Sequence, residues 1–139
     1  MMIGTASALL TAPSTGFAMH RVVARDDWAR VRSLRYEGLS SRGDIDASGP
    51  RAYSDSHDLA LNSSTFLLVN HGRAIGSTRA SSACAQRRRS LPASAMFQRE
   101  MESALGPDAA VVEASLTVAD PKATSDRRSV VLQTRRHEP

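Results

Sequence analysis

Few side chains in this sequence combine a reactive type with a spacing that would hold them in place. Glu113 is the first. In "AAVVEASLTVADP", Val112, Ala114, Leu116 and Val118 alternate with Glu113, Ser115 and Thr117. A period of two puts the two sets on opposite faces of a strand, so Glu113 is expected on the polar face of a rigid element. A carboxylate held this way can take a proton from an amine, directly or through a water, once burial lifts it above its ordinary value of about 4.3. It can equally be a solvated strand residue or an arginine's partner. Arg35 is the second. It follows Trp28 by seven residues, on or beside the apolar face that Trp28, Val31 and Leu34 define, and a buried guanidinium there requires a partner. The remaining candidates are weaker. Cys84 is the lone cysteine, without CxxC or HxxxC company, and reads as a buried or half-exposed thiol. His71 falls in Asn70-His71-Gly72, a turn sequence, and is expected exposed at a hairpin tip.

The elements that must position these groups follow from pattern. "HRVVA" (His20 to Ala24) reads as a strand. The helix after it has Asp26 or Asp27 as cap and Gly38 as its left-handed end. Residues Ser41 to Ser64 are rich in Gly, Ser and Asp and read as a long irregular loop. Phe66 to Val69 and Ala74 to Ala80 form a hairpin around His71. "LPASAMFQREMESALGP" is a helix with Phe97, Met101 and Leu105 on one stripe, stopped by Gly106-Pro107. The Glu113 strand comes next, then a second loop and a helix capped by Thr124 or Ser125. Strand, helix, loop, hairpin, helix, strand, helix is an α+β or α/β order with an antiparallel hairpin at its centre.

Bulk properties set the outer limits. At 139 residues, with 41% hydrophobic and 23% charged residues, the chain can build one globular core. Aromatics at 4% leave that core to Ala, Val and Leu. The net charge of +4 is almost all arginine, Lys122 being the one lysine. Such a surface suits an acidic partner: nucleic acid, a membrane surface or an acidic protein. The arginines are scattered and aromatics do not interleave with them, so no sequence-specific nucleic-acid binding is expected. No apolar run approaches the ~18 residues of a membrane span, and a single cysteine fits a reducing cytoplasm. Residues 1–19 lack a basic signal-peptide start and read as a disordered extension, or as an over-long start with Met19 the initiator.

"LRYEGLSSRGDID" (Leu34 to Asp46), "GRAIGSTRAS" (Gly72 to Ser81), "LPASAMF" (Leu91 to Phe97) and "VEASLTVADPKATSDRRSVVLQ" (Val112 to Gln133) together resemble the N-acyl amino acid synthase family. That family belongs to the GNAT acyltransferase fold and is related to the acyl-homoserine-lactone autoinducer synthases. The resemblance implies a mixed sheet in a GNAT-like domain over 20–133, with 134–139 as an unrelated tail. It implies transfer of an acyl group from an acyl carrier protein thioester, or from acyl-CoA, to the α-amine of an amino acid-like acceptor, with no bound cofactor. By the same resemblance Glu113 is the catalytic acid–base. Arg35, Asp44, Asp46 and Arg79 bind the acceptor, Arg35 pairing with Asp44 or Asp46, or they form an ion-pair network that pins the loop. Phe97 and Met101 line an acyl-chain pocket, unless their stripe is plain core. Val118, Ser125, Arg127, Arg128 and Ser129 face the donor's pantetheine. The arginine triplet Arg87 to Arg89, with Arg127 and Arg128, would dock an acidic carrier protein, unless the triplet is simply a solvated basic loop.

In the wider GNAT fold the helix after this strand opens on a glycine-rich turn that cradles pyrophosphate. Here "KATSDRRS" has no glycine, which tilts the expected donor towards a carrier-protein arm. The resemblance also implies further strands after that helix, whereas this sequence stops at Pro139. The expectation is therefore an N-terminal part of the fold, inactive or weak on its own. The alternative is a non-catalytic half that dimerises or pairs with another chain along an open strand edge.

Overall fold

The computed structural model describes residues 10–11, 16–83, 91–106 and 108–125. Five strands form one sheet in chain order: β1 (Leu10–Thr11), β2 (Phe17–Arg21), β3 (Ser63–Asn70), β4 (Arg73–Ala83) and β5 (Val111–Ala119). Helix α1 (Arg25–Ser41) packs against β4 and β5, α2 (Ser94–Ala104) precedes β5, and the short α3 (Pro121–Ser125) follows it. The fold is α+β with the hairpin at its centre. Every strand pairing is antiparallel, so the parallel part of the expected mixed sheet is not among the described residues.

The hairpin forms where local chemistry demands it. His71 and Gly72 form a two-residue turn, both at positive φ (46° and 79°). That is the backbone twist which matches flanking right-handed strands. His71 is exposed at the tip, as its position predicts. The first strand lies earlier than His20 to Ala24. Ala18 and Met19 pair with Val69 and Leu68, so the sheet includes residues that pattern alone leaves outside the domain.

Helix α1 carries the core. Val31 and Leu34 join Val22, Leu39, Leu67 and Val118 in one buried cluster, with Trp28 packed against it. Two expectations for its ends need correction. The N-cap is Ala24, and Asp26 and Asp27 lie inside the first turn. Asp27 there accepts from Arg30 and pairs with His20 Nε2 at 2.9 Å. Gly38 does not end the helix, which continues to Ser41. It is buried mid-helix, where an added Cβ would stand 3.1 Å from Val118 Cβ. Glycine lets helix and sheet approach closely there, and any Cβ would press on Val118.

Strand β5 departs most from its pattern. Its register against β4 slips between Ser77 and Arg79, where Ser77 pairs with Val118 but Arg79 pairs with Ser115. The extra residue makes a bulge, with Leu116 at φ 47°. A one-residue insertion inverts the faces. Val112 and Ala114 are therefore exposed, whereas Val118, beyond the bulge, is buried. Glu113 and Ser115 turn towards the half-buried side. The expected common face of Val112, Ala114, Leu116 and Val118 is thus corrected. Helix α3 starts at Pro121, which suits a first helical position. Asp120 caps it by accepting from Lys122 N–H at 2.8 Å, and the expected helix over Val130 to Leu132 lies outside the described residues.

Candidate functional site

The expected long loop between α1 and β3 is stitched down. Tyr53 N–H donates to Arg32 O at 3.0 Å and Tyr36 Oη donates to Ala47 O at 2.7 Å. At its end a 3-10 turn, Ser56–Leu59, opens on a capping box. The Asp55 carboxylate accepts from the backbone of the turn, and Asp58 reaches back to accept from Asp55 N–H at 3.2 Å. This turn delivers two carboxylates to the two arginines singled out in the sequence.

Arg35 is fully buried, and its Nη1 donates to both Asp58 oxygens at 2.8 Å each. Its Nη2 reaches Thr65 Oγ1 at 3.4 Å. Arg79, 1% exposed, donates from Nη1 to Asp55 and, at 3.3 Å, to Asp58, and from Nε to Ser115 Oγ at 3.1 Å. Two guanidinium groups and two carboxylates thus form one buried neutral cluster between α1, the 3-10 turn and β4. The register explains how the sheet contributes. Thr65, Arg79 and Ser115 stand side by side across three strands, and Ser63, Ser81 and Glu113 form the next row. Asp55 is the member that meets solvent, its side chain 28% exposed. Burial alone would raise its carboxyl. The Arg79 hydrogen bond and charge, with His57 N–H, outweigh that and hold it below the ordinary 3.8.

The expected acidic partners of Arg35 are therefore corrected. Asp44 and Asp46 lie exposed after α1, where Asp44 pairs with Arg42 at 2.9 Å and Asp46 accepts from Ser48. Asp58 partners Arg35 instead, because the end of the loop, not its beginning, folds over the helix. The Asp55-x-x-Asp58 spacing was the available signal, since it fits a capping box.

Glu113 lies one row from Arg79, roughly 7 Å along the strand from Ser115. Its Oε2 accepts from Ala93 N–H at 2.9 Å, which ties β5 to the N-terminus of α2. Phe97 is half-exposed, has non-helical φ/ψ within α2, and does not join the core cluster. Met101 is half-buried and likewise outside it. Val118 is buried against α1. The side chain of Ser125, together with Arg127, Arg128, Ser129, Cys84 and the triplet Arg87 to Arg89, lies outside the described residues. Among the described residues no group of three or more His, Cys, Asp or Glu could hold a metal ion. None of the described helices is long and apolar enough to cross a membrane.

A five-stranded antiparallel sheet with a bulged last strand, carrying an arginine–aspartate cluster under its first helix, has the likeness of a GNAT-type fold. A solved structure of FeeM, an N-acyl amino acid synthase from uncultured soil microbes, superposes with a TM-score of 0.58 at 16% identity. It covers 76% of this chain and 55% of the other. The sequence model of the N-acyl amino acid synthase FeeM family matches residues 30–136, and the chain belongs to that family. The match takes in Arg35, Asp55, Asp58, Arg79 and Glu113 and continues to 136, into the stretch that the resemblance left as a tail. The chain spans little more than half the length of the FeeM structure. No curated protein matches it significantly.

Proposed function

We propose that this chain takes part in N-acyl transfer from a thioester to the amine of an amino acid-like acceptor. The observation that supports this most is the family match over residues 30–136, which contains the whole Arg35–Asp58–Arg79–Asp55 cluster. In this reading the amine nitrogen attacks the thioester carbonyl carbon, the C–S bond breaks, and the thiol leaves as the amide forms. Glu113 takes the ammonium proton. Its Oε2 is engaged by Ala93 N–H, and Oε1 has no hydrogen bond among the described residues. Arg35 and Arg79 act by holding the two aspartates, and the solvent-facing Asp55 is the carboxylate that meets the acceptor. The donor is an acyl group on a carrier protein or on coenzyme A, and the glycine-free "KATSDRRS" favours the carrier protein.

The test is direct. Purified chain is incubated with acyl-carrier-protein thioester or acyl-CoA and a mixture of the common amino acids. N-acyl amino acids are then sought by mass spectrometry, with released thiol counted in parallel. Amide products that scale with protein concentration support the reading. Because the chain is expected to be weak by itself, even slow protein-dependent amide formation supports the reading, whereas a folded chain that yields none with either donor favours the alternative of a non-catalytic half that pairs with another chain.

A further inference from the structure

An open cleft with charged residues on its wall lies at the other end of the sheet from Glu113. It is a cleft of about 460 Å³ between α1, the start of β4 and the residues after β5. That volume is within the usual range for a small-ligand site. Asp120, on its wall, is seven residues along β5 from Glu113, roughly 20 Å away. The cleft is therefore separate from the cluster described above.

Its charges are ordered. Arg30, Ser33 and Glu37 line it from one face of α1 at i, i+3 and i+7. Arg30 stands at one end and Glu37 two turns on, about 10 Å along the helix axis. A second guanidinium joins the Arg30 end. Arg30 donates to Gly72 O, and the next residue, Arg73, also lines the cleft. Both arginines are braced by acids. Asp27 accepts from Arg30 at 3.2 Å and is itself held by His20, while Asp120 pairs with Arg73. The bracing leaves the Arg30 side chain 36% exposed and that of Arg73 59% exposed. Fixed guanidinium groups lose little further freedom when they receive a carboxylate. Glu37, at the other end, is exposed.

We propose that this cleft binds a small zwitterion the size of a dipeptide, its carboxylate on Arg30 and Arg73 and its ammonium on Glu37. Two extended residues span roughly 7 Å, and a hydrogen bond of about 3 Å at the ends completes the distance between the charged groups. Lys122 also lines the cleft, so its wall carries three cations with Asp120 and Glu37. Asp120 is engaged by Arg73, whereas the Glu37 carboxylate has no ion pair among the described residues and is the one left for an ammonium. The site goes beyond the acyl-transfer reading and does not depend on it.

The test is a titration of the ¹⁵N-labelled chain, without any acyl donor, followed by NMR. The probes are glycylglycine, N-acetylglycylglycine and glycylglycinamide, which carry both charges, the carboxylate only and the ammonium only. Glycylglycine is expected to shift amides of α1 and of residues 72–74 at millimolar concentration, and both single-charge probes to bind about tenfold more weakly. Glu37→Gln should abolish the preference for glycylglycine over the acetylated probe. Arg73→Gln should abolish its preference over the amide. Glu37 is exposed, so its variant remains informative even if Arg73→Gln disturbs the fold. Equal binding of the acetylated probe, shifts confined to the Glu113 end, or no shift up to about 10 mM would each overturn the proposal. None of these results bears on acyl transfer, which the titration does not sample.

Discussion

Replacing Asp58 by Ala is the sharpest test of how the buried cluster is held. Asp58 is 4% exposed and is the carboxylate that Arg35 contacts through both oxygens, with Arg79 as a further donor. The substitution leaves Arg35 fully buried with Thr65 Oγ1 as its remaining side-chain acceptor. Arg79 keeps Asp55 and Ser115. Breaking a buried ion pair by removing one partner costs about 3–5 kcal/mol, because the survivor stays desolvated. The turn also loses its capping box through Asp55 N–H, a smaller term of about 1 kcal/mol. Against a typical total of 5–15 kcal/mol, the variant would be close to unfolding. At about 4 °C per kcal/mol for a domain of this size, the midpoint should fall by roughly 12–20 °C. Urea and thermal unfolding followed by circular dichroism measure it. Asp44→Ala is the internal comparison. Its partner Arg42 is on the surface and both side chains are about half exposed, so the change should stay within about 0.5 kcal/mol. A loss below about 1 kcal/mol for Asp58→Ala, or an equal loss for Asp44→Ala, would refute the reasoning.

The remaining predictions concern acid, packing and proton transfer. Asp27, Asp55 and Asp120 all have carboxyls lowered from 3.8: Asp27 chiefly by the His20 hydrogen bond, the other two against the opposing effect of burial by their arginines and backbone N–H donors. Depressed carboxyls stabilise the fold above their unfolded value and lose that contribution as pH drops through the folded one. Thermal midpoints should therefore be level near neutrality and fall below about pH 4, with a shallower fall in Asp27→Asn; a fold that gains stability in acid would contradict this. Gly38→Leu should cost about 1–3 kcal/mol by urea unfolding, because the new side chain must displace Val118 from a 3.1 Å contact. Glu113→Gln keeps an oxygen for Ala93 N–H but cannot accept a proton. If Glu113 is the base, the variant should lose about 10²-fold or more in amide formation with its melting midpoint unchanged. A parallel loss of stability and turnover would instead assign Glu113 to anchoring α2.

Local chemistry alone determined a good deal of this protein. Asn70-His71-Gly72 specifies its hairpin because two consecutive positive-φ residues admit little else. Trp28, Val31 and Leu34 mark the buried face of α1, and Arg35 announces by its position that a partner must meet it. What that partner is, only the tertiary structure decided. Arg35 and Asp58 are 23 residues apart, and loop residues nearer in sequence, Asp44 and Asp46, are taken up by their own neighbours on the surface. A one-residue bulge in β5 has the same non-local origin. It arises from register against β4, leaves no mark on the alternating pattern, and exchanges the faces on either side of Leu116. Gly38 shows the same division, since its small side chain is visible in the sequence, but the Val118 contact that favours it exists only once helix and sheet are packed. Turns and helix faces depend on residues a few positions apart, whereas ion-pair choice and strand phase depend on which distant segments the chain brings together.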